Sequence, residues 1–395
     1  MTKLDSESKN RIDKVLSRVA RHYTIESADL TKMEELVSFF RSAYSDQFNA
    51  ADYKNTEEIT KRWEWANRKN PNIDGGQFPA WLCKDNKNND ILGHFAVIPT
   101  SLKFRDQHYP AVWGRDLVIL PKFRKLGIGP LLVDNVLKNT KDKSVAFLIA
   151  GLNDDVYGIY KKFGFTDLGF IPLYVRGNSV SAILRHKMHD NILTRILGIL
   201  LGGLLKVLYA IYCIPFFKYS SNKNIVIKEI KEFDSSFDKL WEKTSPYFPI
   251  IIKRDSKTLN WRFVRQPYWK YRIFKAETRN SGELKGYVIL REGKSKGLSV
   301  GVISDMFCQP DDIYTIGTLV DFTVKYFKKK DDISLIRCNI LHKSFVSILK
   351  KSGFISIPSN SRFMFTNVRR DLDSDFAANP ENWFINYADS DLDFY

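Results

Sequence analysis

Twelve consecutive residues, Pro121-Lys122-Phe123-Arg124-Lys125-Leu126-Gly127-Ile128-Gly129-Pro130-Leu131-Leu132, follow a strand ending at Leu120 and open a helix. The backbone N–H groups of such a turn lack helical partners and sit at the positive end of a helix dipole. Glycines at 127 and 129 let a phosphate approach the backbone, so the chemistry on offer is anion binding on the scale of a pyrophosphate. The stretch is neither a Walker motif, which needs Gly-Lys-Ser/Thr, nor the dinucleotide fingerprint, which needs a third glycine. Pro130 has no N–H and removes one donor, although its fixed φ suits a first helical turn. A tight strand-to-helix turn is the alternative use of the same glycines.

The elements around this turn alternate. Residues 1–22 read as a helix with Ile12, Val15, Leu16 and Val19 at helical spacing, docked on the body of the protein. From Tyr23 to Arg176 the pattern gives a helix around Met33 to Ser42, strands near Ile91 to Ile98 and Arg115 to Leu120, a helix after Pro130, and a strand at Val145 to Ala150. This is an α/β module (α+β, with a mixed sheet). An apolar connecting segment occupies 177–222, strand and helix alternation returns over 223–368, and an acidic, aromatic tail fills 369–395.

The two alternating stretches repeat in spacing. Asp116 stands five residues before Pro121 and 48 before Gly164, and Asp305 stands five before Pro310 and 48 before Gly353. Trp65 lies six before Pro71, and Trp261 six before Pro267. Two tandem domains of one fold are expected. The second is degenerate: Asp311-Asp312-Ile313-Tyr314 replaces Lys122 to Lys125, and two carboxylates repel a pyrophosphate. His342 takes the place of Asn153, and Leu349 that of Tyr160.

These motifs together resemble the GNAT superfamily of acetyl-CoA-dependent N-acetyltransferases. Arg124, Gly127 and Gly129 fill that family's Arg/Gln-x-x-Gly-x-Gly/Ala pattern. Asn153, Tyr160 and Gly164-Phe165 fill its second motif. The resemblance implies acetyl-CoA as acyl donor, bound by Ile119, Leu120, Arg124, Lys125, Leu126, Gly127, Ile128, Gly129 and Asn153. It places Tyr160 as general acid toward the leaving thiolate, with half-buried packing as the alternative. Asp116 stands where many members carry a base. Pairing with Arg115 is its alternative, and the repeat at Asp305 favours that pairing. His94 is a further candidate base, its alternative being a packing histidine. A backbone N–H near Ile119 or Leu120 is the expected oxyanion donor.

The full chain is similar to bacterial tandem-GNAT proteins associated with surface polysaccharide, through Asn260-Trp261-Arg262-Phe263 and the end Asn382-Trp383-Phe384-Ile385-Asn386-Tyr387-Ala388-Asp389-Ser390-Asp391. That resemblance implies a small-molecule or saccharide amine, such as an amino sugar, as acceptor. A non-catalytic CoA-binding or scaffold protein with a decayed fold is the competing reading.

Composition bounds the remainder. The net charge of +16 favours an anionic partner without choosing one. Helix-turn-helix, zinc and RNP signatures are missing, so no nucleic-acid partner is expected, and no metal site. Cys83, Cys213, Cys308 and Cys338 stand far apart and read as reduced thiols. With a charged start lacking an apolar core, a cytoplasmic location is expected. Residues 196–217 carry one charge, Lys206, and Arg185, Lys187, Lys218 and Lys223 flank the run. An amphipathic helix at an acidic inner-membrane surface and a buried or dimer-forming helix are equally expected there. The oligomeric state is not legible.

Overall fold

The apolar run after Val145 forms a strand buried at all five residues, Ala146–Ala150, as a strand covered on both faces should be. A computed structural model of the chain describes residues 6–29, 32–43, 56–73, 79–179, 200, 203, 222–330 and 332–390. The expected apolar segment of 192–217 lies, apart from 200 and 203, outside the described residues, as does Cys213. Among the described residues no helix is long and apolar enough to cross a membrane.

The chain divides into two units, each assembled from discontinuous segments where the sequence pattern drew contiguous blocks. The first comprises Met1–Phe170, Arg265–Tyr268 and Asn360–Pro380; the second comprises Ile171–Val264, Trp269–Ser359 and Glu381–Tyr395.

In the first unit, strands β1 (Tyr23–Ser27), β2 (Ala80–Asp85), β3 (Ile91–Phe104) and β4 (Gln107–Ile119) form an antiparallel run, and β5 (Ala146–Ala150) joins β4 in parallel. β6 (Thr166–Phe170) does not pair with β5. Between them lies β15 (Arg362–Asn367), antiparallel to both. Helices α1 (Ser6–Val19), α2 (Met33–Ala43), α3 (Thr56–Asn67), α4 (Ile128–Thr140) and α5 (Asp154–Lys162) complete the unit. Helix α2 has Glu34 and Glu35 in its first turn and Arg41 in its last, the order its dipole favours, and buries Leu36, Val37, Phe39 and Phe40. The docking expected of the N-terminal helix is present, with Leu16 and Val19 of α1 packed with Leu131 of α4.

The second unit repeats this order. Strands β8 (Ile225–Ile230), β10 (Arg272–Thr278), β11 (Leu284–Ser295) and β12 (Leu298–Cys308) run antiparallel, and β13 (Leu335–Leu341) joins β12 in parallel. Between β13 and β14 (Ile355–Ile357) lies β7 (Leu173–Gly177), antiparallel to both. Each sheet thus receives, at the same position, a strand from the other half of the sequence. Helices α6 (Ile313–Lys328) and α7 (Lys343–Lys351) correspond in order to α4 and α5. Helices α5 and α7 each span nine residues, and each is followed by a left-handed glycine, Gly164 at φ 78° and Gly353 at φ 81°. The two glycines marked by the repeated spacing thus end corresponding helices.

Candidate functional site

The site of the first unit is built where β4 and β5 part. Their parallel pairing covers Ala111–Trp113 with Ala146–Leu148, and beyond it no described strand joins β4 on that side. Past its last residue β4 enters a 3-10 turn, Pro121–Phe123, and then the glycine turn. Gly127 is the N-cap of α4 with φ 87°, a left-handed conformation that glycine adopts freely. Pro130 is the third helical residue, ahead of the first intrahelical donor, Leu131 N–H to Gly127 O at 3.2 Å. The proline therefore breaks no helical bond, and Ile128 and Gly129 N–H occupy positions without an i−4 acceptor. Lys122, Arg124, Lys125 and Leu126 are exposed, and Arg124 Nε donates to Ile119 O at 3.2 Å. At Gly129 an added Cβ would lie 3.1 Å from Ile159 and 3.2 Å from Ile119, so this glycine also lets α4 approach its neighbours.

The two expected oxyanion donors separate. Leu120 N–H donates to Leu92 O at 2.9 Å, so Leu120 is corrected: its donor is spent on β3. Ile119 is the adjacent residue of the ladder, opposite Gly93, and by strand alternation its N–H faces the other edge, toward the parting of β4 and β5. Asn153 is the N-cap of α5, accepting from Val156 N–H at 3.0 Å. That bond gives the asparagine a structural task, and its carbonyl oxygen is directed to the helix rather than to a ligand. Tyr160, on α5, is fully buried, with its ring edge-on to Phe165 at 4.8 Å between centroids. It shares a core cluster with Ile128 and Leu132 of α4 and Phe147 and Ile149 of β5. The half-buried placement considered for it is therefore corrected to complete burial.

Asp116 and His94 come together. The β3–β4 register shifts between His94 and Ala96, and in this bulge Asp116 is left-handed at φ 54°. Its side chain is 3% exposed, 3.2 Å from Arg115 Nε and 3.6 Å from Nη2 of Arg62. His94 is fully buried against the rings of Phe40 and Trp63, which also touch each other, with Nδ1 2.9 Å from the carbonyl of Asp116. Burial, above the influence of Asp116 and of Arg115 and Arg62, pulls the imidazole down to about 4. It is neutral at pH 7 and a weak proton acceptor. Arg62 escaped sequence reasoning. It is buried on α3 and its guanidinium lies 5.2 Å over the ring of Tyr268. A cation three residues from Trp65 on a helix carrying Ile59, Trp63 and Ala66 was the available signal.

The second unit departs from this plan at both features. Asp312 caps α6, accepting from Thr315 N–H at 3.0 Å and Thr315 Oγ1 at 2.7 Å, so a carboxylate of the chain satisfies that helix end. The β12–β13 pairing ends at Ile303 and Cys338. Beyond it β16 (Trp383–Asn386) pairs with Ile340 and Leu341, and the Asn386 amide donates to Asp305 Oδ1 and, at 3.1 Å, to Met306 O of β12. The other neighbour of β16 is β9 (Ile250–Ile252). Arg254, buried, bonds Asp305 and, at 2.7 Å, Asp389, and Tyr287 donates to Asp305 at 2.8 Å. Burial disfavours the Arg254 cation, but Asp305 and Asp389 outweigh it and hold the guanidinium charged. His342 and Leu349 occupy the places of Asn153 and Tyr160; His342 is the N-cap of α7 without a side-chain cap bond.

Cys83, Cys308 and Cys338 are buried, and burial pushes the Cys83 thiol up to about 12. Among the described residues no group of three or more His, Cys, Asp or Glu is placed to hold a metal ion.

Comparison with known proteins bears on the fold. No curated protein is significantly similar in sequence. A GCN5-related N-acetyltransferase from Anabaena variabilis superposes with TM-score 0.57 at 11% identity, over 88% of this chain and 73% of that one. N-myristoyltransferase of Saccharomyces cerevisiae, solved with bound myristoyl-CoA, gives 0.55 at 12% identity, over 88% and 79%. A probable N-acyltransferase from Enterococcus faecalis gives 0.54 at 12% identity, over 88% and 72%. Residues 33–165, which contain the glycine turn, Asp116 and Tyr160, match the Acetyltransferase (GNAT) family, and the fold is the GNAT fold.

Proposed function

We propose that the first unit transfers an acyl group from acyl-CoA to an amine. The observation that carries this reading is the parting of β4 from β5 beside an α4 N-terminus whose turn is exposed, cationic and glycine-bearing. In this reading the turn holds a pyrophosphate, and the gap between the strands takes a pantetheine arm as a further extended segment. The yeast neighbour solved with myristoyl-CoA supports an acyl-CoA donor on this fold. In this reading Ile119 N–H holds the oxyanion, Tyr160 protonates the departing thiolate, and Asp116 takes the amine proton directly or through water. A second reading of Asp116, as counter-ion to Arg115 and Arg62, is favoured by their distances of 3.2 and 3.6 Å. The acid limb of the rate profile separates the two, because Asp116→Asn moves it only if Asp116 is the base.

The donor we assign is acetyl-CoA, and the acceptor an amino sugar or polysaccharide precursor. The apolar 192–217 stretch, with its basic flanks, is assigned to an acidic lipid surface. Flotation with acidic vesicles tests that assignment, and a protein that stays with the soluble fraction rejects it. For the donor, titration calorimetry of the full chain with acetyl-CoA is expected to show one site, weakened about tenfold or more by Arg124→Glu. Absence of binding to the wild-type protein would leave the scaffold reading.

A further inference from the structure

We propose that His94 is a positioning residue: its Nδ1–H holds the Asp116 carbonyl, and so fixes the bulge that sets the end of β4. The inference rests on the acyl-CoA reading of the cleft for its functional consequence, but its structural part stands on the geometry alone. An aspartate at φ 54° is in a region that L residues enter at a cost, and such a conformation persists only where surrounding groups determine it. The 2.9 Å contact from His94 Nδ1 is one such determinant, and it acts on the backbone of Asp116 rather than on its carboxylate. A carbonyl oxygen only accepts, so the bond requires the proton on Nδ1. Nε2 is then an acceptor, and no described residue bonds it. A neutral ring in this tautomer agrees with its burial among Phe40 and Trp63.

The second unit supplies an internal comparison. His94 stands opposite Val118, two residues past Asp116, and Tyr287 stands opposite Phe307, two past Asp305. The two rings therefore occupy one position of the repeat. In the second unit the ring bonds the aspartate's side chain, and Asp305 is not among the left-handed residues. In the first it bonds the main chain of a left-handed aspartate. Both strands bulge here, since the β11–β12 register also shifts beside Asp305; what differs between the copies is the aspartate's left-handed φ and the ring's bond to its main chain, and beyond Asp116 lies Ile119, whose N–H faces the parting of β4 and β5.

Replacement by amides tests this. The side-chain nitrogen introduced by His94→Asn overlays Nδ1, whereas that introduced by His94→Gln overlays Nε2. Filling of the space beside Phe40 and Trp63 favours the larger glutamine, while the bond to Asp116 O favours asparagine, so packing and positioning give opposite orders. The readouts are acetyl-CoA affinity by calorimetry and the slow release of CoA thiol when water cleaves acetyl-CoA to acetate. We expect both variants to bind acetyl-CoA within threefold of wild type, because the phosphate turn lies elsewhere. Thiol release should stay within threefold in His94→Asn and fall tenfold or more in His94→Gln. Equal behaviour of the two variants, whether retained or lost, or the reverse order, overturns the proposal. Imidazole nitrogen shifts of the wild-type protein provide a test independent of activity: the Nδ1–H tautomer is expected, and Nε2–H overturns it. If wild type fails to bind acetyl-CoA, the functional reading falls, while the tautomer still judges the positioning claim.

Discussion

Tyr160 combines full burial with a motif position that points to proton donation. Removing the hydroxyl alone tests the two together. Tyr160→Phe keeps the ring against Phe165, so stability should change by less than about 1 kcal/mol. Turnover should fall about 10²-fold with acetyl-CoA affinity unchanged; steady-state kinetics with calorimetry checks both. Two histidines contribute to the acid side of stability. Burial draws His94 to about 4, and burial followed by the Lys343 charge draws His342 to about 4. Each folded value lies below the ordinary 6.5, so between pH 6.5 and 4 the unfolded chain binds more protons. Stability is retained above that window and lost as the pH falls through it, by about 3 kcal/mol per histidine at most. Urea unfolding from pH 7 to 4.5 should show this slope, and His342→Phe should reduce it by about one proton.

The glycine turn is an element whose residues serve two purposes. A Cβ at Gly127 would come within 2.7 Å of Cγ2 of Val19, so α1 rests on the turn as well as on α4. Gly127→Ala then meets both the left-handed φ, at about 1–2 kcal/mol, and the Val19 methyl. Val19→Ala removes the second obstacle. The pair should be less destabilising than the sum of the singles by about 1 kcal/mol in denaturant unfolding. Strict additivity would mean that α1 does not rest on this glycine. For the same reason Arg124→Glu, at an exposed position, is a cleaner probe of phosphate binding than a substitution at Gly127.

For the whole molecule the reciprocal placement of β15 and β7 has a folding consequence. A chain ending at Asn222 keeps β1 to β6 but lacks β15, leaving the β5 and β6 edges unpaired in the middle of a sheet. Such a fragment is expected to aggregate, and co-expression with 223–395 should restore soluble protein; gel filtration and near-ultraviolet circular dichroism check this. The full chain should melt in one transition, since neither sheet is complete without the other half of the sequence. A soluble, cooperatively folded fragment would show that β15 is dispensable.

The sequence by itself determined what depends on near neighbours. Apolar periodicity located α1, α2, β5 and the helix of the glycine turn, because burial on one face or both is written into residues a few positions apart. The repeat was legible because Asp116 and Asp305 and the glycines that end α5 and α7 stand at one 48-residue interval, although α4 and α6 inside it differ in length. The carboxylates after Pro310 announced a helix end closed to phosphate, and Asp312 closes it. Only the tertiary structure decided which edge each strand joins. The apolar run Phe363-Met364-Phe365 of β15 is silent on its partner, since ladder bonds use the same N–H and C=O groups in every residue. For the same reason β16, expected as part of a tail, joins β13 through a pairing that its own residues do not specify. Side-chain roles divided likewise. Asn153 is a cap, Leu120 N–H belongs to β3, and His94 reaches the main chain of Asp116, because a donor's partner is fixed by distance in space and not along the chain.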